Sequence, residues 1–320
     1  MVRSLMRTRV YVSRNFRRAL LGIFLYVVFC AIAGVFVADA SLHPARRELT
    51  DTEITAAREY AHEASAGFED ASLTAPDGVL LRAWLIRPNH GHGDAVILLH
   101  GVANNRVGMT GYARLLLAHG FTLLMPDARA HGASGGAFTT YGLIERDDIR
   151  QWVDSLEARD HPRCIFGLGE SMGAAQLLQS LGSGVHFCAV AAESSFANFR
   201  EIAYDRMGQP FGIGPWFGRT LLRPLVEFAF LRARWKYGLD MNQVSPEDAV
   251  AATSIPVLLI HGQEDSNIPV SHSRRIHARN QHTQLWEVPD AIHCGAIGTA
   301  PQEFERRVVG WFAEHSSAQK

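Results

Sequence analysis

Six short apolar runs, most of them separated by amphipathic stretches, place the strongest restriction on how this chain can fold. They are AVILLHG (95–101), FTLLMPD (121–127), CIFGLGE (164–170), FCAVAAE (187–193), PVLLIHG (256–262) and TQLWEVP (283–289). Each run is too short for a buried helix, and apolar strands that alternate with helices are typical of a parallel sheet covered on both faces. Before them, a turn at 75–78 predicts a hairpin over 68–87, and 51–65 reads as a helix with Asp51 as its N-cap. The pattern therefore predicts an α/β fold with a mostly parallel, doubly wound sheet.

One interval breaks this alternation. Residues 197–253 separate two predicted strands by far more chain than a single crossover helix needs. We expect a helical cap inserted over the carboxyl edge of the sheet. It is rich in aromatic residues, namely Phe199, Tyr204, Phe211, Trp216, Phe217, Phe228, Phe230, Trp235 and Tyr237. Such a cap suits an apolar ligand, but aromatic residues also serve plain packing, and the sequence leaves both open.

The first forty residues differ from the rest. Residues 19–38 contain no charged side chain, and twenty residues is the length that a helix needs to cross a bilayer. Six arginines precede this stretch and Asp39 follows it, so the positive-inside rule predicts a basic cytoplasmic tail at 1–18 and an extracytoplasmic remainder. The rival prediction is a signal peptide cleaved after Ala40, because Ala38-Asp39-Ala40 has the A-x-A form. The protein is then either membrane-anchored or secreted into an extracytoplasmic space such as the periplasm.

The near-neutral composition conceals this division. The 320 residues carry a formal charge of −1, but residues 1–40 contribute +5 and the remaining 280 contribute −6. A mildly acidic main part gives no general reason to expect a nucleic-acid partner. Outside the apolar span there are three cysteines, an odd number, at positions 164, 188 and 294. One disulfide is possible in an oxidising compartment, but we expect three buried free thiols.

The pentapeptide Gly169-Glu170-Ser171-Met172-Gly173 carries the strongest chemical signal. It follows a predicted strand and precedes a helical run, which is the setting of a G-x-S-x-G nucleophile elbow. The glycines allow a sharp turn that exposes the serine hydroxyl. Ser171 is therefore the predicted nucleophile. One oxyanion donor is then the amide of Met172, and the second is predicted to be the amide of Val102, after the strand AVILLHG. His100 is expected to pack near the site rather than react.

A serine hydroxyl needs a base and a group that orients the base. His293 is the only histidine in the loop after the last predicted strand, and we assign it as the base. Asp265 follows the strand PVLLIHG and is the predicted acid. Glu193, which ends the strand after the elbow, Glu264 and Asp290 are competing acids.

These motifs, in this order, resemble a serine hydrolase of the α/β-hydrolase superfamily. The resemblance covers roughly 68–315 and includes Asp127-Ala128-Arg129-Ala130-His131-Gly132 and His261-Gly262-Gln263-Glu264-Asp265. The segment Glu193-Ser194-Ser195-Phe196 resembles the BEM46-like (ABHD13-type) branch, which is related to serine aminopeptidases of the S33 type. The segment 127–132 has alanine where many family members have glycine, a change that we do not expect to affect the triad. The predicted organisation is a linker and leading helix at 41–67 and a hydrolase domain at 68–317.

The resemblance implies hydrolysis of carboxylic esters through an acyl-enzyme, without a metal or a cofactor. His90-Gly91-His92 has metal-like spacing but lacks a partner set, so no metal site is predicted there. A serine peptidase of the aminopeptidase type uses the same triad, and an acid in the cap that binds a free amine would favour it. The available acids are Glu201, Asp205, Glu227, Asp240, Glu247 and Asp248. A third hypothesis is a non-catalytic, membrane-tethered binding protein on a hydrolase scaffold.

Overall fold

The structure, a computed structural model, describes residues 13–209, 212 and 214–316. Its strands are β1 (Ala66–Thr74), β2 (Leu80–Pro88), β3 (Ala95–Leu99), β4 (Thr122–Pro126), β5 (Ile165–Glu170), β6 (Ala189–Glu193), β7 (Val257–Gly262) and β8 (Thr283–Val288). Its helices are α1 (Arg14–Leu42), α2 (Asp51–Glu63), α3 (Thr110–Ala118), α4 (Glu145–Asp160), α5 (Met172–Ser180), α6 (Phe199–Met207), α7 (Pro215–Arg219), α8 (Arg223–Tyr237), α9 (Pro246–Ala251), α10 (Ser271–His277), α11 (Ala296–Thr299) and α12 (Pro301–Ser316). Three earlier predictions fall partly outside the described residues: the tail at its first twelve residues, the domain end at 317, and the cap at Phe211.

The eight strands form one sheet in the order β1-β2-β4-β3-β5-β6-β7-β8. β1 and β2 form the predicted antiparallel hairpin, and β2 also runs antiparallel to β4. All the other neighbours are parallel. The six apolar runs are thus confirmed as strands, and the carboxyl ends of β5, β6, β7 and β8 lie side by side at one edge. This is the edge where parallel α/β sheets place their ligands.

Helices cover both faces of the sheet, as the alternation predicts. Side chains of α3 and α12 pack on one face, and those of α4, α5 and α10 pack on the other. Strand β2 shows the alternation directly, because Trp84 and Ile86 enter the first apolar core while Ala83 and Leu85 enter the second. The doubly wound prediction is confirmed, and the two cores hold the carboxyl edge of the sheet as a firm platform.

In the described part of the chain, four α-helices, α6 to α9, lie between β6 and β7. The last of them, α9, packs on α5, and its Val250 belongs to one of the two sheet cores. The other three stand over the carboxyl edge of the sheet, where Ile202, Val226 and Phe230 form a separate apolar cluster with Phe196. Leu42, at the end of α1, joins the same cluster. Helices α6, α7 and α8 are called the cap below.

Helix α1 extends beyond the predicted span of residues 19–38 at both ends. It is the single helix among residues 13–209, 212 and 214–316 that is long and apolar enough to cross a membrane. Ser13 caps its first turn by accepting a hydrogen bond from the amide of Phe16. A helix of this kind serves as a membrane anchor or as a signal sequence.

The leading helix α2 differs from the prediction in its cap. Its N-cap is Thr50 and not Asp51, which lies in the first turn. Thr50 Oγ1 accepts from the Glu53 amide at 3.3 Å, and the Glu53 carboxylate accepts from the Thr50 amide at 3.0 Å. This reciprocal capping box satisfies two backbone donors, whereas an Asp51 cap would satisfy one.

The expectation of three free thiols was wrong. Cys164, just before β5, and Cys188, just before β6, form a disulfide. The parallel pairing of β5 with β6 brings the residues before these strands together, which sequence spacing alone does not show. Cys30 and Cys294 remain free thiols in this structure.

Candidate active site

Ser171 occupies a strained turn between β5 and α5. Its φ is 50°, a conformation that residues with a side chain rarely adopt. The flanking glycines allow the turn: a Cβ on Gly169 would lie 2.6 Å from the Gly173 carbonyl oxygen, and one on Gly173 would lie 2.2 Å from that of Leu99. The structure therefore has the strand–turn–helix geometry expected of a nucleophile elbow, and it places the Ser171 side chain beside a cavity.

Two loops from neighbouring strands reach this serine. Nε2 of His293, in the loop after β8, lies 2.9 Å from Ser171 Oγ, and its Nδ1 lies 2.7 Å from Oδ2 of Asp265, in the loop after β7. Because a carboxylate only accepts hydrogen bonds, Nδ1 carries the proton that it donates to Asp265, and Nε2 is left to accept one from Ser171. The structure thus brings together the three residues predicted for the triad.

Asp265 is held in place by its own loop. The amides of Asn267 and Ile268 both donate to its Oδ1 at 2.9 Å. Burial opposes ionisation of this carboxyl, but hydrogen bonds from His261 and His293 outweigh it and hold the pKa of Asp265 well below its ordinary value. A fixed, ionised acid at this position keeps the imidazole in one tautomer and one orientation.

The competing acids lie elsewhere. The side chains of Glu264 and Asp290 are exposed to solvent. Glu193 is buried beneath the site, where it accepts hydrogen bonds from the Tyr112 hydroxyl and the Ala296 amide, both at 2.9 Å. Burial raises the pKa of Glu193 to about 7. None of the three approaches the Nδ1 atom of the base.

Both predicted oxyanion donors are beside the serine. Met172 and Val102 line the same cavity as Ser171. The amide of Met172 belongs to the first residue of α5, where no helical carbonyl is available to it. The Val102 loop is held by two imidazoles: His100 accepts from the Ala128 amide at 3.1 Å, and His131 accepts from the Ala103 amide at 3.2 Å.

His100 is a packing residue, as its position predicts. It is fully buried, and burial lowers the pKa of its imidazole to about 4, so the ring is neutral near pH 7. Its Nδ1 lies 2.8 Å from the Gly101 carbonyl oxygen. The ring therefore braces the loop that carries Val102, and His100 is not among the described residues that line the Ser171 cavity.

Sequence reasoning did not find the pair that supports this loop from below. Arg106 and Asp127 are both buried, with Arg106 Nη2 2.6 Å from Asp127 Oδ2, and Asp127 also accepts from the amides of Arg106 and Ala133. The signal for it was an aspartate at the end of a predicted strand, inside a motif that carries the family resemblance. In the same motif Ala130, at one of the two alanine positions, has a φ of 61°.

A mostly apolar cavity of about 250 Å³ leads away from Ser171. Its walls come from three places: the cap, the sheet edge and the carboxyl-terminal end of α1. The lining residues used below are Val37, Ala38, Ser41, Leu42, Phe199, Val226 and Phe230. Arg206 is the one lining residue with a charged side chain among the described parts of the chain.

Comparisons with known proteins agree with the α/β fold described above. The family model described as the alpha/beta hydrolase family matches residues 96–307. The chain belongs to this family. This hydrolase is 33% identical over 230 residues to the uncharacterized protein YqkD of Bacillus subtilis, a match that covers 69% of this chain and 72% of YqkD. The uncharacterized protein YfhR of Escherichia coli K12 is 29% identical over 239 residues, which cover 72% of this chain and 74% of YfhR.

Solved structures extend the likeness to the fold. The Pyrococcus furiosus esterase PF2001 superposes with a TM-score of 0.67 at 25% identity, covering 86% of this hydrolase and 98% of the esterase chain. The family and its esterase neighbour support hydrolase activity in general. They do not name a substrate, because this fold serves many reactions.

Proposed function

We propose that this protein is a membrane-anchored serine hydrolase that cleaves carboxylic esters through an acyl-enzyme. The observation that carries the proposal is the relay of Ser171 Oγ, His293 and Asp265, with contacts of 2.9 and 2.7 Å, at the end of an apolar cavity. Acyl transfer to a serine hydroxyl requires a base that activates the hydroxyl and a third group that orients this base.

The mechanism follows from these contacts. Ser171 Oγ attacks the ester carbonyl while Nε2 of His293 takes its proton, and ionised Asp265 stabilises the resulting imidazolium through Nδ1. The negative charge on the former carbonyl oxygen is met by the amides of Met172 and Val102. The tetrahedral intermediate then collapses: the bond to the alcohol breaks, and His293 gives its proton to the departing oxygen. Water, activated by the same imidazole, hydrolyses the acyl-enzyme and restores the serine.

The cavity supports an apolar acyl group as the part of the substrate that it holds. Its wall is aliphatic and aromatic, with Phe199, Phe230 and Val226 contributed by the cap. Burying such a chain is favourable by about 0.8 kcal/mol for each methylene removed from water. The polar alcohol part of the ester is left to the open side of the site.

The cavity also separates the ester hypothesis from the aminopeptidase hypothesis. Binding a free amine requires an acid at the site, and none of the six acids named for the interval 197–253 is among the described lining residues. Glu201 and Asp205 pair with Arg219, and Glu227 pairs with Arg200. The other three also have partners outside the cavity: Glu247 bonds Arg275, Asp248 bonds Arg279, and Asp240 caps Asn242. The positive Arg206 in the lining would repel an amine.

A binding protein without catalysis is disfavoured by the strain at Ser171. A φ of 50° costs free energy that a mere binding scaffold has no reason to retain. The relay of His293 and Asp265 likewise has no evident purpose in a non-catalytic protein.

The anchor is the apolar helix α1. Arg14, Arg17 and Arg18 lie at its amino-terminal end, and Asp39 lies near its carboxyl-terminal end, which favours a cytoplasmic N-terminus and an extracytoplasmic hydrolase domain at 68–317. The disulfide between Cys164 and Cys188 supports an oxidising compartment for that domain. Cleavage after Ala40 is the alternative, and it would release the domain to the same side of the membrane.

The test uses the full-length protein in detergent micelles, an alkyl fluorophosphonate probe, and nitrophenyl esters beside an aminoacyl nitroanilide. We expect labelling of the wild type, ester hydrolysis, and a loss on the order of 10⁴-fold or more in the rate of Ser171→Ala. Ser72→Ala, which removes an exposed hydroxyl on β1, is the matched control and should behave as wild type. Labelling that survives Ser171→Ala, or a wild type that cleaves only the nitroanilide, would contradict the proposal.

A further inference from the structure

Helix α1 has a free half and a docked half. From Arg14 to Phe29 its side chains are exposed, with Tyr26 only partly covered. From there on, Cys30, Gly34, Ala38 and Leu42 are buried. A spacing of four residues places these four side chains on one face of the helix, and that face packs on α8 of the cap. The second half of α1 is therefore part of the folded domain as well as part of the apolar helix.

The contact with α8 is a close one. A Cβ on Gly34 would lie 2.7 Å from the carbonyl oxygen of Leu225 and 2.7 Å from Cβ of Phe228. Glycine at this position thus allows the two helix backbones to approach, as small residues do between membrane helices. One turn later Asp39 accepts a hydrogen bond from the Tyr237 hydroxyl at 2.8 Å and lies 3.3 Å from the guanidinium of Arg232.

The end of α1 is also bonded to the main domain. The Tyr141 hydroxyl donates to the Ser41 carbonyl oxygen at 2.9 Å, and the Thr139 amide donates to that of Leu42 at 2.9 Å. These bonds place the last turn of α1 between the cap and the loop after β4. As a result, Val37, Ala38, Ser41 and Leu42 line the same cavity as Ser171.

We infer that α1 forms one wall of the acyl site, and that the substrate is a lipid ester whose acyl chain enters this cavity from the bilayer, along α1. The inference rests on the proposed ester hydrolysis, and it adds where the substrate comes from and which element selects it. The exposed apolar side chains of α1 and of the cap are accordingly covered by the outer leaflet of the membrane.

The length of α1 supports this placement. From Ala19 to Phe29 the largely exposed part of the apolar segment rises only about 16 Å, roughly half of the ~30 Å hydrocarbon core of a bilayer. Residues 30–38, with the edge of the cap that packs on them, must therefore supply the rest of the span. The Tyr26 hydroxyl donates to the carbonyl oxygen of Leu221, which places the start of α8 beside the middle of the apolar segment.

The cap has the surface that this depth requires. Trp216, Leu221, Leu231 and Trp235 are 64%, 55%, 59% and 80% exposed, although they are large and apolar. They belong to α7, α8 and the turn between them, and α8 is the helix that packs on α1. Clusters of exposed large apolar side chains mark interaction surfaces, and tryptophans favour the membrane–water interface.

The inference also bears on the rival prediction of cleavage after Ala40. Removal of residues 1–40 would take Val37 and Ala38 out of the cavity wall and Asp39 out of its contacts with α8. The cavity would then open along one side. The functional enzyme therefore retains α1.

The first test is Ala38→Phe in the full-length protein, assayed in micelles on nitrophenyl esters from acetate to palmitate. A phenyl ring at position 38 would narrow the cavity that holds the acyl chain. We therefore expect the ratio of kcat/KM for palmitate to that for acetate to fall at least about tenfold. The matched control is Ala40→Phe, since Ala40 is exposed two residues away and does not line the cavity; its ratio should match that of wild type. An unchanged ratio in Ala38→Phe would overturn the inference, whereas a wild type that hydrolyses no ester would instead overturn the proposed function.

Two further measurements use the unmodified cavity. A long-chain fluorophosphonate with a diazirine on its chain, bound at Ser171, should cross-link to the peptide that contains residues 37–42. Cross-links confined to the main domain would overturn the role of α1.

In proteoliposomes, a fluorescent lipid ester in the same bilayer should be hydrolysed faster than one in separate vesicles, and Trp235→Glu should reduce that preference. Equal rates for the two presentations would show that the substrate arrives from water.

Discussion

The Tyr112 hydroxyl lies between the carboxyl groups of two glutamates, 2.9 Å from Oε2 of the buried Glu193 and 3.3 Å from Oε2 of the partly buried Glu170. Its single proton serves one of them at a time. Desolvation is the main cause that raises the pKa of both acids, to about 7 for Glu193. Since Glu193 also holds the Ala296 amide and Glu170 accepts from the Gly101 amide, this small network joins the loop of the base to the loop of the oxyanion donors.

Glu193 makes stability depend on pH. Its pKa is raised in the folded state, so the folded protein binds its proton more tightly than the unfolded chain does. The contribution to the free energy of unfolding is complete below about pH 4.5 and is lost as pH rises through about 7, on the order of 3 kcal/mol in total. The amide of Glu193→Gln does not titrate, so the variant should lack this loss. Chemical denaturation of both proteins between pH 4.5 and 8 measures the difference.

Comparing the variant with wild type is essential, because His100 acts in the opposite sense. Its pKa is lowered to about 4, so its contribution grows as pH rises toward 6.5. The two terms partly cancel in the total but not in the difference between the proteins. A difference that stays constant with pH would show that Glu193 has an ordinary pKa.

Asp265 and Glu193 should differ sharply in their effect on rate. Asp265→Asn removes the acceptor of the His293 Nδ1 proton, and we expect kcat to fall on the order of 10³ to 10⁴-fold. Glu193→Gln keeps a group that can bond both of its neighbours, so we expect less than about a tenfold loss. Steady-state ester hydrolysis at pH 8 gives both values. The reverse order of the two losses would move the acid of the triad to β6.

The substitution Ala130→Gly should stabilise the folded protein. Its φ of 61° costs alanine free energy that glycine does not lose, so Ala130→Gly should raise the free energy of unfolding by about 0.5 kcal/mol after the loss of its buried methyl group. Ala133, which is exposed in the same loop with a φ outside the left-handed region, is the control, and Ala133→Gly should lower stability by about 0.5–1 kcal/mol. Thermal midpoints of the two variants have to move in opposite directions, and a parallel shift contradicts the strain argument.

The disulfide between Cys164 and Cys188 closes a sequence separation of 24 residues. By its restriction of the unfolded chain it should contribute roughly 3 kcal/mol, so the double variant Cys164→Ser/Cys188→Ser should unfold at a lower denaturant concentration. Dithiothreitol should lower the wild-type midpoint to a similar degree and leave the double variant unaffected. An unresponsive wild type would mean that the two thiols are not joined.

The local pattern of the sequence was enough for the architecture. Short apolar runs predict buried strands because a strand of five or six residues hides both of its faces, and the runs at 95–101 and 256–262 became β3 and β7 as expected. Ser171 could be named because two glycines flank it at a strand–helix junction, a signal contained in five consecutive residues. The base, His293, could also be predicted from the sequence, since it is the one histidine in the loop after the last strand.

Only the tertiary structure decided which distant groups meet. Asp265 and not Glu193 faces His293, Cys164 pairs with Cys188, and Tyr112 joins two carboxyls from different strands. The sequence likewise determined that α1 is apolar and long enough to cross a membrane, but its place in the wall of the acyl cavity comes from its packing on α8. The physical reason is the same in each case: propensity and periodicity act within a few residues, whereas these contacts join segments far apart in the chain, whose distances are set by how the sheet, the cap and the helices pack.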